Sequence, residues 1–421
     1  MRDSAWVGID FGTSGCRICA IDQNGTLLAK QEQHFSTTVN DYPSAQQQAE
    51  YLLTGLQQLR SALPDYVIEA IAIDATSGSV MFVDKTGQPL SDMLMYNDQR
   101  SSAVPASLPK ATTTHLATSA LEKALYLQQT TDLPTQYYLT HQADWLAMQL
   151  GMQVGKTDYN NALKSGFDLI KNGWPDEITA LLPAAAFPEV LPPGSVAGEM
   201  PAALMQQLGL KQSVPPVIKT GTTDSLAAFI ATGACKVGEA VTSLGSTLVL
   251  KLLCQQPVFD AERGIYSHKL GKHWLCGGAS NSGGAVLRHY FSDTQLSVLS
   301  QHIDLLQTPP DYYPLLRPGE RFPMCDPHFS PRMLPRPAKD SQFLYGLLQG
   351  IAAIEKLGYQ HLQQLSATPL LSVRSVGGGA INPVWTQIRQ ALLQVDFKPA
   401  PHSEAAYGSA LLARDGLTLF N

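Results

Sequence analysis

The sequence predicts a two-lobed α/β protein built by one duplication, and three observations carry that prediction. A strand, a polar turn and a second strand occur around Ile9-Asp10-Phe11-Gly12-Thr13-Ser14 and again around Thr242-Ser243-Leu244-Gly245-Ser246-Thr247. The copies lie about 230 residues apart, too far for a solenoid repeat and suited to a domain duplicated once. The chain has 421 residues, 44% hydrophobic and 15% charged, enough for two domains with separate cores.

The apolar run Trp6-Val7-Gly8-Ile9-Asp10 is a strand that ends in a carboxylate, followed by Gly12-Thr13-Ser14-Gly15 and a second strand over 16–22. Asn24-Gly25 supplies a tight-turn pair, so 26–34 completes an antiparallel meander. Helical periodicity covers 45–63, and a strand over 68–74 runs into Ala75-Thr76-Ser77-Gly78 and a further strand through 83. Helices are expected over 119–127 and 142–150. Prolines interrupt the pattern over 183–201, and Pro215-Pro216 marks the approach to a domain boundary. A strand over 217–220 then leads to Gly221-Thr222-Thr223-Asp224-Ser225, which opens an apolar helix through 231.

The second copy places strands over 239–242 and 248–253 on either side of its turn. Nine prolines between 309 and 337 exclude regular structure and predict an ordered loop laid over the surface of the second lobe. Helix periodicity returns over 344–365, followed by a strand over 373–376, Gly377-Gly378-Gly379-Ala380, and a helix with Asn382, Trp385 and Arg389. A last helix, N-capped by Ser403, runs to about residue 413. The expected lobes are residues 1–230 joined by the C-terminal helix of 404–421, and residues 231–403.

Net charge is -6, from 29 Lys plus Arg against 35 Asp plus Glu, with no block of like charge. Nothing here tracks a phosphate backbone or an anionic membrane, which argues against a nucleic-acid or membrane partner. The nine residues before Asp10 already contain strand, leaving no room for a signal peptide, and no apolar run reaches spanning length. A soluble, cytoplasmic protein is expected. The six cysteines lack zinc-site spacing. Cys16 and Cys19 fall on one strand, where residues three apart point to opposite faces, so core packing is the expected role of both.

The turns Gly12-Thr13-Ser14 and Gly245-Ser246-Thr247 suit phosphate, because glycine lets the backbone approach oxygen closely while N–H and hydroxyl groups donate. Either alone is also an ordinary turn. Two of them, one per lobe, fit a polyphosphate clamp. Asp10, at the end of a buried strand, needs a cation or donors to offset burial. Magnesium held through water beside ATP phosphates would supply this, and an Asp that caps its own loop is the alternative. Asp224 stands in the first turn of a helix, where the dipole favours its ionised form and where it could accept a hydroxyl proton during phosphoryl transfer. A plain helix N-terminal acid has the same signature. Gly378 and Gly379 give a backbone that a flat ring can approach, with Asn382 able to bond a purine edge and Trp385 to stack on it; a tight loop for helix packing is the alternative.

Together, Asp10-Phe11-Gly12-Thr13, Gly221-Thr222-Thr223-Asp224, Gly245-Ser246-Thr247 and Gly377-Gly378-Gly379-Ala380-Ile381-Asn382 resemble the ordered motif set of the FGGY carbohydrate kinases across almost the whole chain. The resemblance implies two RNase-H-like lobes of the actin and hexokinase type with a nucleotide cleft between them, and use of ATP and Mg2+. Asp74-Ala75-Thr76-Ser77-Gly78, Gln142-Ala143-Asp144-Trp145-Leu146, Thr157-Asp158-Tyr159-Asn160-Asn161-Ala162-Leu163-Lys164, Tyr266-Ser267-His268-Lys269-Leu270-Gly271 and Gly277-Gly278-Ala279-Ser280-Asn281 are similar to a short cyanobacterial and plant branch described as D-ribulose kinases. That likeness implies that Asp10, Ser77-Gly78 and Asp224 meet the sugar, with Asp224 as base. It assigns Gly12, Thr13, Ser14, Gly245, Ser246 and Thr247 to the phosphates, and Gly378, Gly379, Asn382 and Trp385 to the nucleotide pocket.

Longer xylulose kinases carry His-Gly where this chain has Ser77-Gly78, and a hydroxyl cannot replace the contact of an imidazole. The expected activity is therefore phosphorylation of a free ketopentose, D-ribulose to D-ribulose 5-phosphate. The alternatives are a D-xylulose or polyol kinase, or an actin- or chaperone-like nucleotide-switched binding protein.

Overall fold

A computed structural model describes residues 3–35, 42–103 and 120–421. The chain divides into two compact units, Met1–Ala231 with Glu404–Leu419 and Asn421, and Thr232–Ser403 with Phe420. The first residue of the helix expected at 119 lies outside the described residues; the helix itself is Ala120–Thr130.

The first unit is organised by a seven-stranded sheet. Ser4–Phe11, Gly15–Ile21 and Leu27–His34 form the expected antiparallel meander. Val67–Ala75 then pairs parallel to Ser4–Phe11, and Val217–Lys219 and Thr222–Thr223 pair parallel to Val67–Ala75. Central strands of this kind are covered on both faces and read as continuous apolar runs, as Val7, Ile9, Phe11, Ile71 and Ile73 do here, all buried.

Helix Ala45–Ala62 covers one face, its first turn fixed by a capping box between Ser44 and Gln47 and its buried stripe of Leu52, Leu56 and Leu59 set by the helical period. The last helix, Ala405–Asp415, lies against the first strand so closely that a Cβ on Gly8 would fall 2.0 Å from the Ala406 carbonyl oxygen. A Cβ on Gly408 would fall 1.8 Å from that of Ala227. Only glycine permits this approach, which brings Ser409 to the sheet. The helix is capped at Glu404, one residue after the expected Ser403, and Glu404 makes no side-chain cap bond because its carboxylate is paired with Lys30 at 2.5 Å. Cys16 and Cys19 are buried free thiols on the second strand.

The second unit repeats the plan. Its sheet runs Tyr266–Leu270, His273–Ser280, Leu248–Cys254, Glu239–Leu244, Ser372–Val376, Asp396–Lys398, antiparallel up to Glu239–Leu244 and parallel beyond. The 27-residue helix Asp340–Ser366 packs on it. The proline-rich loop is not only a surface cover. Tyr312, Leu315 and Phe322 are core residues, and the Phe322 ring fills the space above Gly278 and Gly358, where an added Cβ would meet it at 2.2 and 2.6 Å. Burial of one such ring contributes about 1.5–3 kcal/mol, so prolines shape this loop while its aromatics anchor it. Among the described residues, no helix is long and apolar enough to cross a membrane.

Candidate active site

Three carboxylates gather at the carboxyl ends of neighbouring parallel strands in the first unit, where ligands of open α/β sheets bind. Asp10 and Asp74 are partners in register, Thr222 is the partner of Asp74 on its other side, and Asp224 begins helix Asp224–Ala231. Ser225 N–H donates to Asp224 Oδ1 at 2.7 Å. Arg17 reaches Asp10 at 3.5 Å and is itself drawn to Glu32 at 2.8 Å. Ser409 Oγ donates to Asp74 Oδ2 at 2.5 Å.

This crowding costs free energy. Burial, and then the charge of Asp224, push the Asp10 carboxyl up from an ordinary 3.8 to about 6, against the pull of Arg17 and of a hydrogen bond with Asp74. Burial and then Asp10 hold Asp74 well above the carboxylate range. Like charges and desolvation act in the same direction.

Ser77 and Gly78 follow the Val67–Ala75 strand. Gly78 has φ 85°, a left-handed turn that a side chain would strain. Thr76 and Ser79 hold this turn through a 2.6 Å bond, and Thr76 donates to Gln142 at 2.5 Å. The hydroxyls of Ser77, Thr222 and Thr223 are buried with no hydrogen-bond partner among the described residues. Such groups are costly unless a ligand meets them.

The two glycine turns differ in detail from the expectation. Gly12 N–H is spent on Gly15 C=O at 3.0 Å, and its own carbonyl accepts from Tyr42 at 2.5 Å. Thr13 and Ser14, both exposed, are the residues of this turn whose side chains reach solvent. In the second turn the carbonyls of Gly245 and Ser246 accept from Gly284 and Ala285 at 2.8 and 3.0 Å, so that turn rests on the start of helix Gly284–Tyr290. From this helix Arg288 donates to Ser246 Oγ at 2.8 Å.

Beside the second turn lies a cavity of about 420 Å³ lined by Gly378, Gly379, Asn382 and Trp385 together with Leu244, Arg288 and Ile381. A Cβ on Gly378 would meet nothing within 4 Å. The other two expected ligand residues are engaged by the protein. Asn382 Oδ1 accepts from Val384 and Trp385 N–H at 3.1 Å, as the N-cap of helix Pro383–Leu393, and its Nδ2 donates to Ser300 at 2.9 Å. It therefore caps this helix and lines the cavity at the same time. Trp385 is buried, with Nε1 donating to Leu348 C=O at 3.1 Å, so it forms a wall rather than an open stacking platform.

A larger cavity in the first unit, about 980 Å³, is lined by Thr13, Ser14, Tyr42, Tyr96, Asp98 and Arg100. Sequence reasoning missed Tyr96, Asp98, Arg100, Arg17 and Arg288. A basic residue aligned with Asp10 across the predicted hairpin was the one available signal, for Arg17.

Among the described residues no group of three or more His, Cys, Asp or Glu side chains converges to hold an ion. The acids nonetheless fit Mg2+ bound mainly through water, since that ion keeps most of its hydration and needs only one or two carboxylates plus phosphates. In the second unit the exposed Ser246 hydroxyl and Arg288 beside its turn fit ATP phosphates.

The FGGY family of carbohydrate kinases matches the chain twice, its N-terminal domain over residues 5–231 and its C-terminal domain over residues 240–414. A gluconokinase of Bacillus subtilis (strain 168) is 21% identical, the alignment covering 97% of this chain and 87% of the relative. A xylulose kinase of Staphylococcus epidermidis is also 21% identical, over 98% and 88%. Among solved structures, a xyloylose kinase from Brucella ovis has a TM-score of 0.84 at 20% identity, over 99% of this chain and 91% of that one. A Plasmodium falciparum glycerol kinase with ADP has a TM-score of 0.83 at 16% identity, over 100% and 90%. The expected mixed α/β two-domain fold is the fold of these kinases, and the nucleotide-switch alternative is set aside.

Proposed function

We propose, for a chain that belongs to the FGGY family of carbohydrate kinases and so acts as an ATP-dependent sugar kinase, that the acceptor is a free ketopentose, D-ribulose, phosphorylated to D-ribulose 5-phosphate. The observation that carries this reading is the Ser77 hydroxyl, buried and unpartnered among the described residues near the strand ends that hold Asp10 and Asp74. Longer xylulose kinases place an imidazole there. A small hydroxyl donor suits a sugar hydroxyl instead, and a polar group built for one partner rejects analogues that lack it.

In this reading the first lobe, residues 1–230 with 404–421, holds the sugar, and the second, 231–403, the nucleotide. Asp10 and Ser77, with the backbone of Gly78, orient the ketose so that its terminal hydroxyl faces Asp224. Asp224 takes the hydroxyl proton as the bond from the sugar oxygen to the γ-phosphorus forms and the bond from that phosphorus to the bridging oxygen breaks; ADP leaves with the bonding pair, and the carboxyl group then passes its proton to water. Thr13 and Ser14 donate to phosphate oxygens from the first turn; Gly245, Ser246, Thr247 and Arg288 do so from the second. Gly378 and Gly379 leave room for the nucleotide, Trp385 backs that wall, and Asn382 fixes the start of its helix. Asp10 would hold magnesium, which would offset phosphate charge.

The test is coupled ADP release over D-ribulose, D-xylulose, gluconate, ribitol and glycerol. D-Ribulose should give the highest kcat/KM. A higher value for another acceptor would overturn the substrate assignment.

A further inference from the structure

The most deeply buried charges of the second unit lie behind its nucleotide residues, and nothing in the phosphoryl-transfer reading uses them. Arg389 and Glu355 are both fully buried and face each other bidentately, Nε to Oε2 and Nη2 to Oε1, each 2.7 Å. Fork-to-carboxylate pairs of this kind are strong and directional. The pair does not close on itself. Thr242 Oγ1 donates to Glu355 Oε1 at 2.5 Å and is 2.8 Å from the Tyr359 hydroxyl, while Arg389 Nη1 donates to Ser375 Oγ at 2.7 Å.

Thr242 and Ser375 are register partners on the parallel strands Glu239–Leu244 and Ser372–Val376. Thr242 stands three residues before Gly245, and Ser375 two before Gly377. Arg389 belongs to helix Pro383–Leu393, whose N-cap is Asn382, and Glu355 to the long helix that also accepts the Trp385 indole bond through Leu348. One ion pair therefore ties the strand leading to the second phosphate turn, the strand leading to the glycine segment, and the helix beyond that segment.

We propose that Arg389 and Glu355 are a positioning pair for nucleotide binding, fixing the phosphate turn at Gly245-Ser246-Thr247 relative to the Gly378-Gly379 wall. A hydrophobic pair could fill the same space, since replacing a buried ion pair by apolar side chains is often neutral for stability. It could not hold two strand ends through directional bonds to Thr242 and Ser375. The inference rests on the proposal that nucleotide occupies the cavity beside Gly378.

The experiment compares Arg389→Met/Glu355→Leu, which removes both charges together, with Thr242→Val and Ser375→Ala, which each cut one tether and leave the pair in place. Melting temperature, KM for ATP and KM for the sugar are measured for each. The paired variant should melt close to the parent, with KM for ATP raised about tenfold and the sugar KM unchanged, because both tethers are lost together and their effects multiply. The single tether variants should raise KM for ATP about threefold each.

A folded paired variant with unaltered KM for ATP overturns the proposal. If that variant does not fold, unaltered KM for ATP in both tether variants overturns it. Gly378→Val, which adds bulk where the protein leaves space, separates the two readings. If it leaves KM for ATP unaltered, the nucleotide site itself is elsewhere; if it raises KM while the network variants do not, only the positioning role fails.

Discussion

The two units start from the same plan and end with opposite chemistry at matching positions. In the first, the strand before the turn carries Asp10 opposite Asp74; in the second, the corresponding register pair is Ser243 and Val376. The first unit thus concentrates acids at its strand ends, with Asp224 joining them, and tolerates a raised carboxyl at Asp10. The second has no acid at the corresponding register pair, and its most deeply buried charges, Glu355 and Arg389, neutralise each other on the helices that bond to Thr242 and Ser375, one register position back. A duplicated scaffold has been divided in this way into a half that gathers acids at its strand ends and a half that pairs its most deeply buried charges. Unsatisfied charge is retained where a substrate or cation can offset it, and is paired off where it cannot.

The comparison breaks most sharply at Asp224. Asp224→Ala should lower kcat for the sugar by about 10²–10⁴-fold, the usual contribution of a positioned base, while calorimetric ADP affinity stays near that of the parent. Loss of both together would make Asp224 a structural helix N-terminal acid.

Asp10→Asn should reduce kcat less but stabilise the fold. The folded form holds the Asp10 proton up to about 6, against 3.8 ordinarily, so it binds that proton more tightly than the unfolded chain does. Its contribution to stability therefore falls as pH rises from 3.8 through about 6, and the loss is complete above that. The variant should gain on the order of 3 kcal/mol at pH 7 and little at pH 4, read from urea unfolding at both values. Equal stability at both would show that the acids are already compensated.

In the second unit, Arg288→Ala should raise KM for ATP about threefold to tenfold with the sugar KM unaltered, as expected for one exposed charge-assisted contact. Smallest, Ser77→Ala should raise the KM for D-ribulose a few-fold without lowering thermal stability, since it removes a hydroxyl that has no partner among the described residues.

Much of the scaffold was legible because it depends on local pattern. The apolar runs ending at Asp10 and Asp74, the Asn24-Gly25 turn and the long helical period of 344–365 all specify their elements within a few residues. The site was legible where it is made of glycine turns and strand ends. It was opaque where it depends on side chains meeting across the chain. Asp74 and Ser409 are 335 residues apart, and Thr242 and Glu355 are 113 apart; no periodicity announces such pairs. Asn382 is ambiguous in the sequence because an Asn before Pro383 is equally an N-cap, and the fold uses its Oδ1 there while the residue also lines the cavity. The proline-rich loop reads as a cover because prolines report backbone restriction and not where Phe322 points.

The most direct measurement of the central claim is phosphorus and carbon NMR of the product from D-ribulose and ATP, with the parent protein and Asp224→Ala in parallel. The proposed division into a sugar-activating and a nucleotide-holding half predicts phosphate on carbon 5 of D-ribulose from the parent and no phosphorylated sugar above background from the variant. ATP turnover without a phosphorylated sugar, or equal product from both proteins, would contradict it.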